Sequence, residues 1–181
     1  MKKPVFNNNK KISEFIRVNY AGEYGANLIY QGQLDAAHQQ VKREIIQEII
    51  HMQAQEKVHL DYFSNEMKER RVRPSILMGF WHYFGYILGY TSSMLGPKYA
   101  MICTDSVESV IEEHYQKQID YLNSFTKESI LAKKFAEFKN EEIDHKNIAS
   151  AYIKSYGFMD FIFYKLVGKI CKLAIFASKK I

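Results

Sequence analysis

Two short stretches, 86 residues apart, constrain this chain more than any other feature. Glu56-Lys57-Val58-His59 is echoed by Glu142-Ile143-Asp144-His145. On a helix, positions i and i+3 project from one face about a turn apart. Each Glu-x-x-His therefore offers a carboxylate and an imidazole to one metal ion, and two such turns face to face offer ligands to two. A single Glu-x-x-His in a charged helix means little. Here the spacing recurs, and other residues recur with it. Glu23, Tyr30 and Gln33 reappear as Glu108, Tyr115 and Gln118 at an offset of 85. The order is Glu, Glu-x-x-His, Glu, Glu-x-x-His, one element per helix, as a duplicated helix pair with a crossover after the first pair would produce.

Four glutamates and two histidines converging inside a four-helix bundle make a carboxylate-bridged dimetal site. Charge agrees: four carboxylates balance two divalent ions. Without metal, four buried carboxylates would be too costly or would take up protons. Imidazole with hard oxygen ligands suits iron or manganese better than zinc or copper thiolate chemistry. Position suggests the roles. Glu56 and Glu142 bridge, Glu23 and Glu108 are terminal ligands, and His59 and His145 bind one metal each. Glu112, one turn beyond Glu108, is a rival that the repeat offset rejects. Tyr30 and Tyr115 lie two turns after Glu23 and Glu108 and either line the site or belong to the core. His38, His51 and His82 have no counterpart in the repeat and read as surface or structural residues.

Composition supports an all-α chain. There are three prolines and nine glycines in 181 residues, and long stretches rich in Glu, Lys, Gln, Ile and Leu. The expected layout is a flexible arm over 1–10 and one domain over 11–181. Helix pairs occupy about 12–71 and 97–156, with individual helices at 12–40, 43–70, 97–124 and 127–156. Gly22, Gly25 and Gly32 inside the first helix need a reason, either close helix packing or space beside Glu23 for a substrate. The two cysteines, Cys103 and Cys171, form no C-x-x-C, which excludes a zinc ribbon and suggests a reducing compartment. The first residues lack an apolar core of the kind a secretory signal needs, and no transit peptide is expected.

Two greasy elements flank this frame. Residues 74–97 contain no Asp, Glu, Lys or Arg. They also hold Gly79, Gly85, Gly89, His82 and a Thr-Ser-Ser break, so a partly buried crossover is expected rather than a membrane span. The terminal helix, 158–178, is basic and amphipathic: Lys165, Lys169 and Lys172 form one stripe on an otherwise apolar surface, the pattern of an interfacial helix. The chain carries a net charge of +5. Because the lysines sit on an apolar helix rather than among stacking aromatics, nucleic-acid binding is not expected. Exposed apolar helices suggest a homo-oligomer or a lipid-presenting partner.

At these residues the chain resembles the demethoxyubiquinone hydroxylases of ubiquinone biosynthesis. The likeness is carried by Arg17-Val18-Asn19-Tyr20-Ala21-Gly22-Glu23-Tyr24-Gly25-Ala26, Gln55-Glu56-Lys57-Val58-His59-Leu60, Arg71-Val72-Arg73-Pro74, Cys103-Thr104, Val107-Glu108, His114-Tyr115 and Glu141-Glu142-Ile143-Asp144-His145. It departs at Asn19-Tyr20 and Glu112-Glu113. The resemblance implies a ferritin-like bundle with two iron ions held by Glu23, Glu56, His59, Glu108, Glu142 and His145. It further implies O₂-dependent hydroxylation of a polyprenyl benzoquinol, with NADH or the quinol as reductant. His114 and Tyr115 would lie where substrate or electrons arrive. The protein would be peripheral to the cytoplasmic face of the inner (cell) membrane. A ferritin-like ferroxidase, or another dimetal redox protein using Tyr30 or Tyr115, is the competing reading of the same ligands.

Overall fold

The computed structural model describes residues 10–37, 43–126 and 128–179. Residues 1–9 of the expected arm, and His38, fall outside the described residues, while Lys10, expected in the arm, already opens the first helix. Six helices follow in order: α1 (Lys10–Ala36), α2 (Arg43–Arg70), α3 (Met78–Met94), α4 (Pro97–Phe125), α5 (Ser129–Ala151) and α6 (Phe158–Ser178). No strand occurs among the described residues. The fold is an all-α, ferritin-like helical bundle.

The punctuation is chemical. After α2 the chain turns at Arg71, whose φ of 54° is left-handed, and Pro74 prevents helix from resuming at once. Gly96, at φ 113°, reverses the chain, and Pro97 opens α4, a position where its missing N–H is harmless. The fourth helix of the bundle was expected to run to 156 but stops at Ala151. There the chain tightens through Ile153 N–H to Ser150 O. This turn buries Ile153 in the cluster of Tyr30, Ile45, Ile49 and Ala149, and core burial outweighs five more helical residues. The Gly157 N–H then donates to Asp160 Oδ2 at 2.8 Å to start α6. Asp160 also takes Lys98 Nζ at 2.5 Å, fastening α6 to α4.

The sequence suggests a repeated helix pair, whereas the structure repeats a triplet. α1 packs against α2 and α3, and α4 packs against α5 and α6. The two units meet through α2 with α5, α3 with α4, and α1 with α6. The repeat escaped the sequence in α3 and α6 because α3 carries no charge that could be aligned with the lysine stripe of α6. Close approach of α1 and α3 depends on glycine. A Cβ on Gly32 would stand 2.2 Å from the Tyr86 carbonyl oxygen, and one on Gly89 would stand 1.9 Å from that of Ile29. Gly22 and Gly25 differ, since a Cβ on either would meet nothing within 4 Å. Close packing therefore explains Gly32, whereas Gly22 and Gly25 border a cavity.

The interior has two apolar clusters. One joins Ile16, Phe63, Tyr115, Phe135 and Phe138. The other joins Tyr30, Ile49, Met52, Met101, Ile102 and Ala149. Along each of α1, α2, α4 and α5 the repeated glutamate lies between residues of these two clusters. A polar layer is thereby sealed between greasy ends.

Candidate metal centre

All six repeated residues meet in that layer. Glu23, Glu56, His59 and Glu142 bring one ligand atom each within 4.8 Å of one another. Glu56, Glu108, Glu142 and His145 do the same. Glu56 and Glu142 belong to both quartets. Glu23 with His59, and Glu108 with His145, each belong to one. All are buried. Glu112 stands elsewhere, paired with Lys146.

The histidines are held alike. His59 Nδ1 faces Glu142 Oε1 at 3.1 Å and Glu23 Oε2 at 3.5 Å. His145 Nδ1 faces Glu142 Oε2 at 3.1 Å and Glu56 Oε1 at 3.2 Å. On the far side of each ring, Nε2 meets an acceptor: Glu141 Oε2 at 2.6 Å from His59, and Gln55 Oε1 at 3.1 Å from His145. A proton kept on Nε2 by these acceptors would leave Nδ1 free to ligate once a cation displaces its proton, which is how outer partners set the tautomer of a ligating histidine. Gln55 and Glu141 were not singled out from sequence as ring holders. The signal was available, because each directly precedes a motif glutamate and the two are related by the same offset of 86.

The tyrosines cross between units. Tyr30 donates its hydroxyl to Glu108 Oε1 at 2.9 Å, and Tyr115 donates to Glu23 Oε1 at 2.5 Å. One turn before Glu23, Asn19 exchanges amide hydrogen bonds with Gln118 of α4 at 2.8 and 2.9 Å. Their repeat counterparts pair too, with Gln33 Nε2 reaching Thr104 Oγ1 at 3.4 Å. Asn19, one of the departures from the resembled pattern, therefore has a defined buried partner.

Electrostatics show what the cluster lacks. Burial, and then the charge of Glu142, push the Glu56 and Glu108 carboxyls well above the usual range. Burial would raise Glu142 too, but hydrogen bonds from His145 and His59 outweigh it and hold that group at about 2. Burial works against a charged His59, yet Glu142 and Glu23 raise it to about 11. Two imidazoles cannot neutralise four carboxylates, so the remainder must hold protons or cations. Both Glu56 oxygens are buried without a hydrogen-bond partner. His145 Nδ1 is near one of them but out of line. A buried carboxylate left so is costly, and a pair of divalent cations fits the shortfall in charge and the orphaned oxygens together.

His114 lies outside both quartets. Gln118 Nε2 donates to its Nε2 at 2.7 Å. Burial, then Lys179 and Lys117, lower its pKa to about 4 and keep it neutral. His51 is exposed, and His82 sits 2.7 Å from the Tyr24 hydroxyl, away from the cluster.

An apolar slot runs beside the centre. It lies among α1, α3, α4 and α6, and its wall includes Gly22, Gly25, Phe84, Val107, Ile111 and Ile170. A narrow seam through Ala26, Ile29 and Val107 continues inward to Tyr30 and Glu108. The slot holds about 80 Å³, less than the roughly 300–1,000 Å³ of ligand pockets. Outside it, α3 and α6 expose Phe80, Tyr83, Ile87, Phe158, Phe161 and Leu173. No helix among the described residues is long and apolar enough to cross a membrane.

The sequence matches the family described as "Ubiquinone biosynthesis protein COQ7" over residues 10–178, from the first residue of α1 to the last of α6. It is 35% identical over 176 residues to the Bos taurus protein named NADPH-dependent 3-demethoxyubiquinone 3-hydroxylase, mitochondrial, covering 96% of this chain and 80% of that one. The Rhodospirillum rubrum 3-demethoxyubiquinol 3-hydroxylase is 40% identical over 140 residues, 77% of this chain and 64% of the relative. The Saccharomyces cerevisiae 5-demethoxyubiquinone hydroxylase, mitochondrial, is 30% identical over 184 residues, 94% and 78% of the two chains. With the match spanning all six helices and the repeated carboxylates and imidazoles gathered between them, the chain belongs to the COQ7 family of ubiquinone biosynthesis proteins.

Proposed function

We propose that the two quartets hold two iron ions and that this chain hydroxylates the ring of a polyprenyl demethoxyubiquinol with O₂. The observation that carries the reading is the position of Glu56 and Glu142, shared by both quartets, with the Glu56 oxygens left without hydrogen bonds. In that arrangement Glu56 and Glu142 would bridge. Glu23 with His59 and Glu108 with His145 would complete the two positions. Bound iron supplies the redox chemistry that activates O₂, which protein side chains cannot.

The chain's own residues do the rest. Tyr30 and Tyr115 orient the terminal carboxylates by hydrogen bonds. Glu141 and Gln55 fix the imidazoles. The two apolar clusters keep water from the polar layer. The slot leads from the greasy α3–α6 surface toward Glu108, a path suited to a ring on a prenyl tail, and Gly22 and Gly25 leave its wall open. Given its volume, admission of a ring requires α3 or α6 to move outward. A ferroxidase would use the same ligands but has no need of the slot or of the apolar outer face.

Membrane contact follows from the same surface. α3 and α6 lie against the bilayer, peripheral to it, on the cytoplasmic face of the inner membrane, with residues 11–181 acting as one domain. The reductant is a reduced nicotinamide or the quinol itself. The resemblance implied NADH, whereas the names of the animal relatives specify NADPH. Tyr115 touches a proposed ligand, and His114, one residue away, feels the charge of Lys179 at the end of α6, where substrate or electrons would arrive. Exposed α3 and α6 surfaces leave room for a second copy or a lipid-presenting protein.

Complementation decides the reaction. In a strain that accumulates the demethoxy-quinone, expression of this chain restores ubiquinone. Failure of a well-expressed, metal-loaded protein to do so sinks the hydroxylase assignment.

A further inference from the structure

A second cavity, of about 580 Å³, opens at the end of the bundle where α1 begins, α2 ends and α6 ends. Its wall carries Lys10, Arg17, Arg71, Arg73 and Lys179 against one acid, Glu14. Glu14 is paired with Lys11 at 2.8 Å. Arg70, also in the wall, is held by Glu66 at 2.7 Å and Glu128 at 3.0 Å. Among the described residues, none of the five named cations makes an ion pair.

Arg17 has a structural task. It is buried, and it donates from Nε to the Arg73 carbonyl at 2.8 Å and from Nη1 to the Lys179 carbonyl at 3.1 Å. It thereby ties the α2–α3 linker and the end of α6 to α1. That accounts for Arg17 and for the convergence of the three segments. It does not account for four further cations placed around the same hollow, where like charges repel. Arg71 is moreover held in a left-handed conformation that disfavours side chains.

The cleft adjoins the apolar slot. Val18 and Ser178 line the slot, while their neighbours Arg17 and Lys179 line the cleft. Together they present a greasy channel with a cationic end. A quinol has a neutral head and does not call for that end. An amphiphile with a phosphate head does, because guanidinium groups grip phosphate oxygens in pairs.

We propose that the basic cleft formed by Lys10, Arg17, Arg71, Arg73 and Lys179 binds a phosphate group, and that its source is the headgroup of an anionic membrane phospholipid whose chains lie along α3 and α6. The same phosphate chemistry could come from a dissolved nucleotide, and the experiment separates the two. The proposal stands on charge and cavity geometry and does not require the hydroxylase reading.

The test is calorimetric titration of the full-length protein with three probes. These are dihexanoyl-phosphatidylglycerol below its micelle concentration, its zwitterionic phosphatidylcholine counterpart, and NADPH. The variants are Arg71→Gln/Arg73→Gln, both exposed, and Lys165→Gln/Lys169→Gln on the outer stripe of α6. Phosphatidylglycerol is expected to bind more tightly than the other two. The arginine pair should weaken it about tenfold to thirtyfold, and the lysine pair by about twofold or less. Equal binding of the two lipids, or equal response of the two variants, overturns the proposal. NADPH binding alone, sensitive to Arg71 and Arg73, overturns the lipid source and makes the cleft a nucleotide-phosphate site. Binding is read without turnover, so a catalytically dead protein still answers the question, and an active one can still fail it.

Discussion

The two halves of the candidate metal centre are built on one plan but carry different charge. His59 donates to a carboxylate, Glu141, at 2.6 Å, whereas His145 donates to a neutral amide, Gln55, at 3.1 Å. The inner contacts match closely, as do the crossed tyrosines. The repeat therefore keeps the geometry that gathers the ligands and varies the outer partner of each ring. A carboxylate behind an imidazole makes it a stronger donor. The position built on Glu23 and His59 should hold its ion more tightly than the one built on Glu108 and His145.

Removing a shared residue breaks the comparison altogether. Glu142→Ala should strip both ions and lower quinol hydroxylation at least about a hundredfold, read by metal analysis and product assay with helicity unchanged. Retention of two metals per chain would show that Glu142 is not common to both positions. Glu23→Ala and Glu108→Ala should each lose one ion, with the residual ion held more tightly in Glu108→Ala.

Acidity tests the charge argument. Without metal, Glu56 and Glu108 keep protons that the unfolded chain gives up above the ordinary carboxylate range, because burial raises them. A group raised on folding contributes stability at low pH and loses it as pH climbs toward the folded value. His59, raised to about 11, acts in the same direction, and Glu142, held at about 2, stays ionised above that. Metal-free protein should therefore melt progressively lower as pH rises above about 5, with the His59 share lost between about 6.5 and about 11. Metal binding would displace those protons, so the metal-induced gain in Tm should widen over the same range. A gain independent of pH would contradict the protonated cluster.

Exchanging the outer partners sharpens the asymmetry. Glu141→Gln should weaken one position about tenfold, and Gln55→Glu should strengthen the other by a similar factor, measured by competition with a chelator. An effect of comparable size, read in stability rather than in affinity, belongs to the tyrosines. Tyr115→Phe and Tyr30→Phe should each destabilise the loaded protein by about 1–3 kcal/mol, the former more, since its bond is shorter.

Much of the site was legible because a repeat is a long-range restraint written in one dimension. The offsets of 85 and 86 selected Glu108 over Glu112, and the structure places Glu108 in the cluster and Glu112 against Lys146. The same arithmetic reached Tyr30, Tyr115, Gln33 and Gln118 but not their partners. A hydroxyl's acceptor lies 78 or 92 residues away, and no local pattern names it. The end of α5 at Ala151 was missed for a similar reason, since burial of Ile153 depends on α1 and α2.

The sequence by itself determined the number of bundle helices, which glutamates and histidines share a face, and the greasy character of residues 74–97 and 158–178. Those properties follow from spacing and from side-chain chemistry. Only the tertiary structure decided that α3 and α6 complete a repeated triplet and that Gly32 packs while Gly25 opens a slot. It also set Arg17, Arg71, Arg73 and Lys179 around one hollow. Each of these depends on surfaces from distant segments coming within a few ångströms, and a spacing along one chain does not specify that.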